Sequence, residues 1–239
     1  MPALPLIPML LVALFVALAL TEVWRPMRVA RRGRWPLNIA LGLVNVALVR
    51  LLAVAAPAGA ALWAEAHGFG LFNALPIPLW LEMTLAVIAL DFAIYWQHRA
   101  FHALPWGWAL HRLHHADYDF DITTGIRFHP GEALVSMLYK ALLVLALGAS
   151  LPAVLAFEAW LVAGSLIEHA NIRLPASLDA ALRRIWVTPS VHSIHHSAHG
   201  QDHNHNFGFA IGLWDRWFGT WQDVASGPNI GLPQSGAAA

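Results

Sequence analysis

An all-α, polytopic membrane helical bundle is the fold class this sequence predicts, on three observations. Of 239 residues 58% are hydrophobic and only 12% charged, and the mean hydropathy is +0.55. That balance is a membrane protein's, not a soluble domain's. Several apolar runs are long enough to cross a hydrocarbon core of about 30 Å. Thirteen of the fourteen histidines fall at the ends of those runs.

The first run, "LPLIPMLLVALFVALAL", has no basic region before it and its first arginine, Arg25, comes after it. It is expected to be a retained membrane helix and not a cleaved signal. Runs over 37–64 and 75–97 are each long enough to span. Two shorter ones, 133–149 and 151–167, flank the turn "LGASLPA" and predict a helical hairpin that either spans or dips in and returns. By composition, 1–74 forms an N-terminal membrane part with a basic loop, 75–224 a second domain, and 225–239 a disordered tail.

Basic residues set the orientation. Arg25, Arg28, Arg31, Arg32 and Arg34 fill the first loop, Arg99, Arg112 and Arg127 the middle one, and Arg173, Arg183, Arg184 and Arg216 the C-terminal part. The opposite loops, 65–74 and 148–152, hold none, so the histidine-bearing side and the C-terminus are expected in the cytoplasm. Arg50 and Lys140 lie inside apolar runs; Lys140 and Glu158, equidistant from the hairpin turn, are expected to form an ion pair or to line a polar part of a substrate cavity. In "ASLDAALRRIWV" (176–187), Leu178, Leu182, Ile185 and Trp186 share a helical face, which suits a helix on the membrane surface as well as one packed on a core.

Function classes are narrowed by what is missing. With no cysteine there is no thiolate metal site, no cysteine-held iron–sulfur cluster and no haem attachment motif, so a metal here binds nitrogen or oxygen. A net charge of zero and the lack of a phosphate loop give no support for nucleic acid or nucleotide.

The histidines come in groups: "HRAFH" (His98, His102), "HRLHH" (His111, His114, His115), "RFHPGE" (His129), "IEHAN" (His169) and "VHSIHHSAHGQDHNHN" (His192, His195, His196, then His199, His203, His205). His67 stands apart. Residues i, i+3 and i+4 of a helix share a face within one turn, so each HxxHH is a one-sided trident and each set of three can converge on a metal. His98 and His102 make a two-pronged version, and two tridents with a fork imply two metals. His199, His203 and His205 fall outside the trident, in an expected exposed turn, with His203 and His205 as outer hydrogen-bond partners. Imidazoles with few carboxylates suit zinc, copper, nickel or iron and disfavour magnesium and calcium; spacing does not choose among them. A metal-binding or transport protein and a zinc-dependent membrane hydrolase remain alternatives to an oxidoreductase.

From 85 to 221 the sequence resembles the fatty acid hydroxylase superfamily, which includes sterol desaturases, methyl sterol oxidases and alkylglycerol monooxygenase. The resemblance rests on "DFAIYWQHRAFH", "HRLHH", "RFHPGE", "EHANIRLP", "TPSVHSIHHS", "DHNHNFG" and "WDRWFGT" in that order. It implies a non-haem di-iron centre, with O2 as co-substrate, that hydroxylates or desaturates a C–H bond of a lipid (sterol, fatty acyl, carotenoid or ether lipid). It implies as iron ligands His98, His102, His111, His114, His115, His169, His192, His195 and His196; zinc would occupy the same nitrogens in purified protein. The fatty acid 2-hydroxylase branch spaces its first box one residue wider and has a partner histidine at the positions of Ser165 or Arg173 here, so His129 is expected either as a replacement ligand or as an outer partner of one. Asp91 and Tyr95 stand one helical face along from His98 and His102, which suits proton relay or ligand orientation, or a structural hydrogen bond between helices. Without a redox group of its own the chain is expected to take electrons from a ferredoxin- or cytochrome-type partner with its reductase, an acidic one docking near Arg183.

Overall fold

The computed structural model describes residues 6–29 and 32–232; Arg31 and the expected tail from 233 onward lie outside the described residues. Among the described residues there are ten α-helices, and β-structure is limited to three isolated bridges. Four helices are long and apolar enough to cross a membrane: α1 (Leu6–Trp24), α4 (Leu79–Ala103), α6 (Pro130–Leu147) and α7 (Leu151–His169). The molecule is a polytopic membrane bundle, as its composition implies.

The 37–64 run is not one continuous helix. It divides into α2 (Trp35–Leu51) and α3 (Pro57–His67), because Pro57 cannot continue a helix and forces Ala56 into an extended conformation (φ −75°, ψ 160°). Both halves pack along α6, so together they make one broken crossing. At its far end Gly70 meets Gly148 backbone to backbone with no room for a Cβ, and the Leu71 N–H donates to the Ala146 carbonyl (3.1 Å).

The expected hairpin is α6 and α7. Gly148 ends α6 in the left-handed conformation, which glycine alone adopts without cost, and the Ser150 hydroxyl accepts from the Ala153 N–H to start α7. Glu82, one turn into α4, accepts from both the backbone and the hydroxyl of Ser150 (2.9 and 2.7 Å), tying the hairpin tip to the start of α4. Lys140 and Glu158 do pair across the hairpin, at 2.7 and 2.9 Å. Small residues sit where the helices cross: Ala61, Ala86, Ala141 and Ala153 pack with Leu90, Val144, Val154 and Phe157. In lipid, where apolar burial drives little association, close backbone approach of this kind holds helices together.

The opposite ends of these helices carry a cap built from short pieces. α5 (Pro105–His115) and α9 (Pro189–His195) each begin at a proline whose φ is already helical and end in paired histidines. The predicted 176–187 helix stops early: α8 covers Ala176–Leu182, and Arg183 is then held by Asp179 (2.9 Å), Asp223 (3.2 Å) and Ser190 (2.9 Å). No α8 residue is buried, and Leu178, Ile185 and Trp186 remain exposed, which favours the membrane-surface reading over core packing. The segment 225–232, expected as part of a free tail, crosses the cap: Ser226 donates to Asp202 (2.6 Å), the Ala198 N–H to Asn229 (2.8 Å) and the Gly231 N–H to His196 (2.9 Å).

Candidate metal centre

Nine of the expected ligands meet at the cap. His98, His102, His111, His115 and His195 form one group and His114, His169, His192 and His196 another, the ligating nitrogens of each lying within 4.8 Å of one another. α4 brings His98 and His102, the last turn of α5 the next three, the last residue of α7 His169, and α9 with its C-cap residue His196 the rest. All but His102 are almost wholly buried.

Each trident is shared between the groups, contrary to the expectation that it would hold one metal. His111 and His115, one turn apart, face the first group while His114 faces the second; His195 joins the first while His192 and His196 join the second. Residues i and i+4 lie only about 40° apart around a helix, whereas neighbours lie about 100° apart, so a helix end inserted between two centres deals its rings to both sides.

The protonation pattern is fixed by the outer nitrogens. His98 Nδ1–H donates to the Phe207 carbonyl (2.8 Å), His195 to His205 (2.7 Å), His169 to Ser165 (2.7 Å) and His114 to Arg127 (3.2 Å), while His111 Nδ1–H donates to the Glu132 carboxylate (2.7 Å). A carbonyl only accepts, so these rings are Nδ1–H tautomers with a bare lone pair at Nε2. Those lone pairs face one another: Nε2 to Nε2 is 3.1 Å for His98–His111, 3.0 Å for His98–His195 and 3.1 Å for His114–His169. Two bare lone pairs at that distance repel, and no hydrogen is left to join them. A cation between them removes the conflict. Nitrogens bound to a metal at about 2.1 Å and meeting at a right angle stand about 3.0 Å apart, so the donor set fits a pair of nitrogen-bound metals. Burial first, and neighbouring imidazoles second, holds His114, His115, His192, His195 and His196 well below the ordinary histidine range, which keeps them neutral and competent as ligands.

The remaining expected site residues take other places. His129 belongs to neither group; its Nδ1 accepts from the Gly131 N–H (3.0 Å) and caps α6. Asp91 binds the indole N–H of Trp160 (2.8 Å) and of Trp214 (2.7 Å), and Tyr95 hydrogen-bonds Thr220 (2.9 Å), so both join elements together and neither hydrogen-bonds a histidine of the two groups. The Ser165 hydroxyl bonds Gly125 and its carbonyl serves His169. His203 is buried, not exposed, its ring 5.2 Å from that of His115, while His199 is exposed and His205 contributes its carbonyl to His195.

Several supporting residues escaped the sequence reading. Glu132, three positions after His129 in "RFHPGE", orients His111. Glu168 is fully buried, each oxygen 3.6 Å from an Nδ1 of His169 or His192. "DYDFD" places Phe120 against His169 (ring centroids 5.7 Å) and His196 (5.5 Å), while Asp117, Asp119 and Asp121 surround the buried Arg34 guanidinium, at 3.4 Å from Asp119 and 3.0 Å from Asp121. Trp35 and Asn38 add hydrogen bonds to Asp121 and Asp117 (2.8 and 3.0 Å). The alternating acids beside a basic loop were the available signal.

Comparison with known proteins agrees with this centre. The fatty acid hydroxylase family model matches residues 83–220, which contain all nine histidines. Over 157 residues the chain is 28% identical to an ornithine lipid hydroxylase, OlsE, of Rhizobium tropici, covering 65% of this chain and 46% of that protein. Over 142 residues it is 29% identical to an alkylglycerol monooxygenase of Homo sapiens (57% and 30%), and over 158 residues 29% identical to fatty acid hydroxylase vlmA of Lecanicillium sp (60% and 43%). The chain thus spans less than half the length of each of these relatives. No solved structure matches. With the model covering more than half of the sequence and every histidine of both groups, the chain belongs to the fatty acid hydroxylase family.

Proposed function

We propose that the protein is an O2-dependent lipid hydroxylase holding two non-haem irons, one in each histidine group. The observation that carries this reading is the set of inward Nε2 lone pairs 3.0–3.1 Å apart on rings whose Nδ1–H groups are already donated outward. Irons bound there would supply O2 reduction and attack on an unactivated C–H bond. The chain's own part is positional: Phe207, His205, Ser165 and Arg127 carbonyls and the Glu132 carboxylate fix the ring orientations, and burial keeps bulk water from the centre. In a hydroxylation one oxygen atom enters the C–H bond and the other leaves as water, with two electrons and two protons from outside. In this reading a ferredoxin- or cytochrome-type carrier with its reductase supplies the electrons. The ion pairs of Arg183 with Asp179 and Asp223 leave Arg184, Arg112 and Arg216 as the better cationic contacts for it. The names of the relatives support the aliphatic chain of a membrane lipid as substrate. The arginine distribution supports a cytoplasmic cap.

Metal transport is less well supported, since transport sites sit near the bilayer midplane and these histidines gather at helix ends. A zinc hydrolase is separated by experiment. Cells with and without the protein are grown under 18O2 and their lipids profiled. One lipid class should gain a single 18O hydroxyl, and lysates should require iron. No labelled lipid, with an activity supported by zinc alone, would overturn the assignment.

A further inference from the structure

Where α1 leaves the apolar bundle, a recess of about 470 Å3 is lined by Trp24, Arg25, Pro26, Arg173, Leu174 and Pro175. Its position is that of a membrane boundary. α1 is a 19-residue apolar helix in which Glu22 alone is buried, it ends at Trp24, itself 86% exposed, and arginine follows at once. Tryptophan and arginine in that order are the residues of the headgroup layer.

The walls are held rigidly. Met27 N–H donates to Asn171 (3.0 Å), Arg173 N–H to Arg25 (3.0 Å) and Arg28 N–H to the Asn171 side chain (2.8 Å). Behind them Glu22, buried, accepts from the Asn171 and Ile122 N–H groups (both 2.7 Å), which locks the end of α1 to the segment after His169. Among the described residues neither Arg25 nor Arg173 is paired with a carboxylate, and no acidic residue lines the recess. Arg173 gives one hydrogen bond, to the Met27 carbonyl (3.1 Å), and a guanidinium has four further donors.

Two cations with donors to spare, set in otherwise apolar walls at headgroup height, match a phosphate joined to a glycerol and two acyl chains. Guanidinium groups bind phosphate oxygens in pairs, and Trp24, Leu174 and the prolines suit the first carbons below it. We propose that this recess binds the phosphate of an anionic membrane phospholipid. The proposal stands apart from the metal centre and does not depend on its activity.

The test is native mass spectrometry of the full chain released from bilayer discs made of equal parts phosphatidylglycerol and phosphatidylcholine. Wild-type protein should retain phosphatidylglycerol preferentially, and R25Q/R173Q should lose that preference by on the order of ten-fold, as expected for losing charged hydrogen bonds. R25K/R173K should recover part of it, and R25Q alone, should the double variant not purify, should lose about half of the effect on a logarithmic scale. Unchanged retention by R25Q/R173Q, or by R25Q where only that protein is obtained, would overturn the site. Displacement of the lipid by millimolar inorganic phosphate, with phosphate retained in its place, would make free phosphate the ligand and overturn the lipid assignment.

Discussion

In the four-histidine group one ring, His169, has its Nε2 3.0–3.2 Å from those of His114, His192 and His196, so the group is organised around a single residue at the end of α7. The five-histidine group is organised around His98, whose Nε2 approaches only His111 and His195, while His102 and His115 stand off. Their supports differ too. The outer partners of the five-histidine group, Glu132, His205 and Phe207, all fall within the family match at 83–220. The four-histidine group rests on Phe120 and Arg127, and these are braced by Arg34, Asn38 and Trp35 from a region before that match. The five-histidine group therefore takes its outer hydrogen bonds from within the family match, whereas the four-histidine group is also braced by the end of the first loop and the start of α2.

The largest expected effect falls on both centres alike and tests whether their shared burial matters. His114, His192 and His196 of one group and His115 and His195 of the other are all held well below the ordinary histidine value of 6.5. The unfolded chain then binds more protons than the folded one below pH 6.5, so stability of the metal-free protein is full above that pH and falls as pH drops. Each such imidazole contributes up to about 1.4 kcal/mol per pH unit. Chemical denaturation at pH 7.5 and 5.5 should show a loss of several kcal/mol; equal stabilities would mean that the rings are solvated.

Arg34→Gln should separate the centres. It strips the cation from three buried aspartates, a change worth roughly 3–5 kcal/mol when one partner of a buried pair is removed. Metal titration should show the four-histidine group weakened and the five-histidine group unaltered, with Arg34→Lys intermediate because it keeps the charge and loses the planar fork. Glu132→Gln should do the converse, weakening the five-histidine group by about 10–100-fold in metal affinity while sparing the other. The smallest effect is expected from His129→Ala: loss of a helix cap costs about 1 kcal/mol in thermal unfolding, and the metal content should stay at two per chain.

The comparison also shows what could be read from the linear chain. Helix-end histidines, the hairpin at Gly148 and the Lys140–Glu158 pair follow from local periodicity and depth, and all three appear in the structure. The assignment of His114 to one centre and His115 to the other does not, because it depends on where α7 and α9 insert beside α5. Arg34 was legible only as a positive charge in a basic loop. Its three aspartate partners lie more than eighty residues away, and a rule that counts charges does not see partners. Pro57 is a break inside 37–64 that the length of the apolar run masks. His203 looked like surface because polar neighbours surround it in sequence, yet Trp108 and His115 cover it in space.

The central claim is that two nitrogen-bound metals share this cap. Anaerobic titration of purified protein with ferrous iron, followed by elemental analysis and Mössbauer spectroscopy, tests it directly. Wild-type protein should saturate at two irons per chain and His169→Ala at one, with the five-histidine iron retaining its spectrum. Saturation of the wild type at one iron or none, or loss of both from His169→Ala, would contradict it.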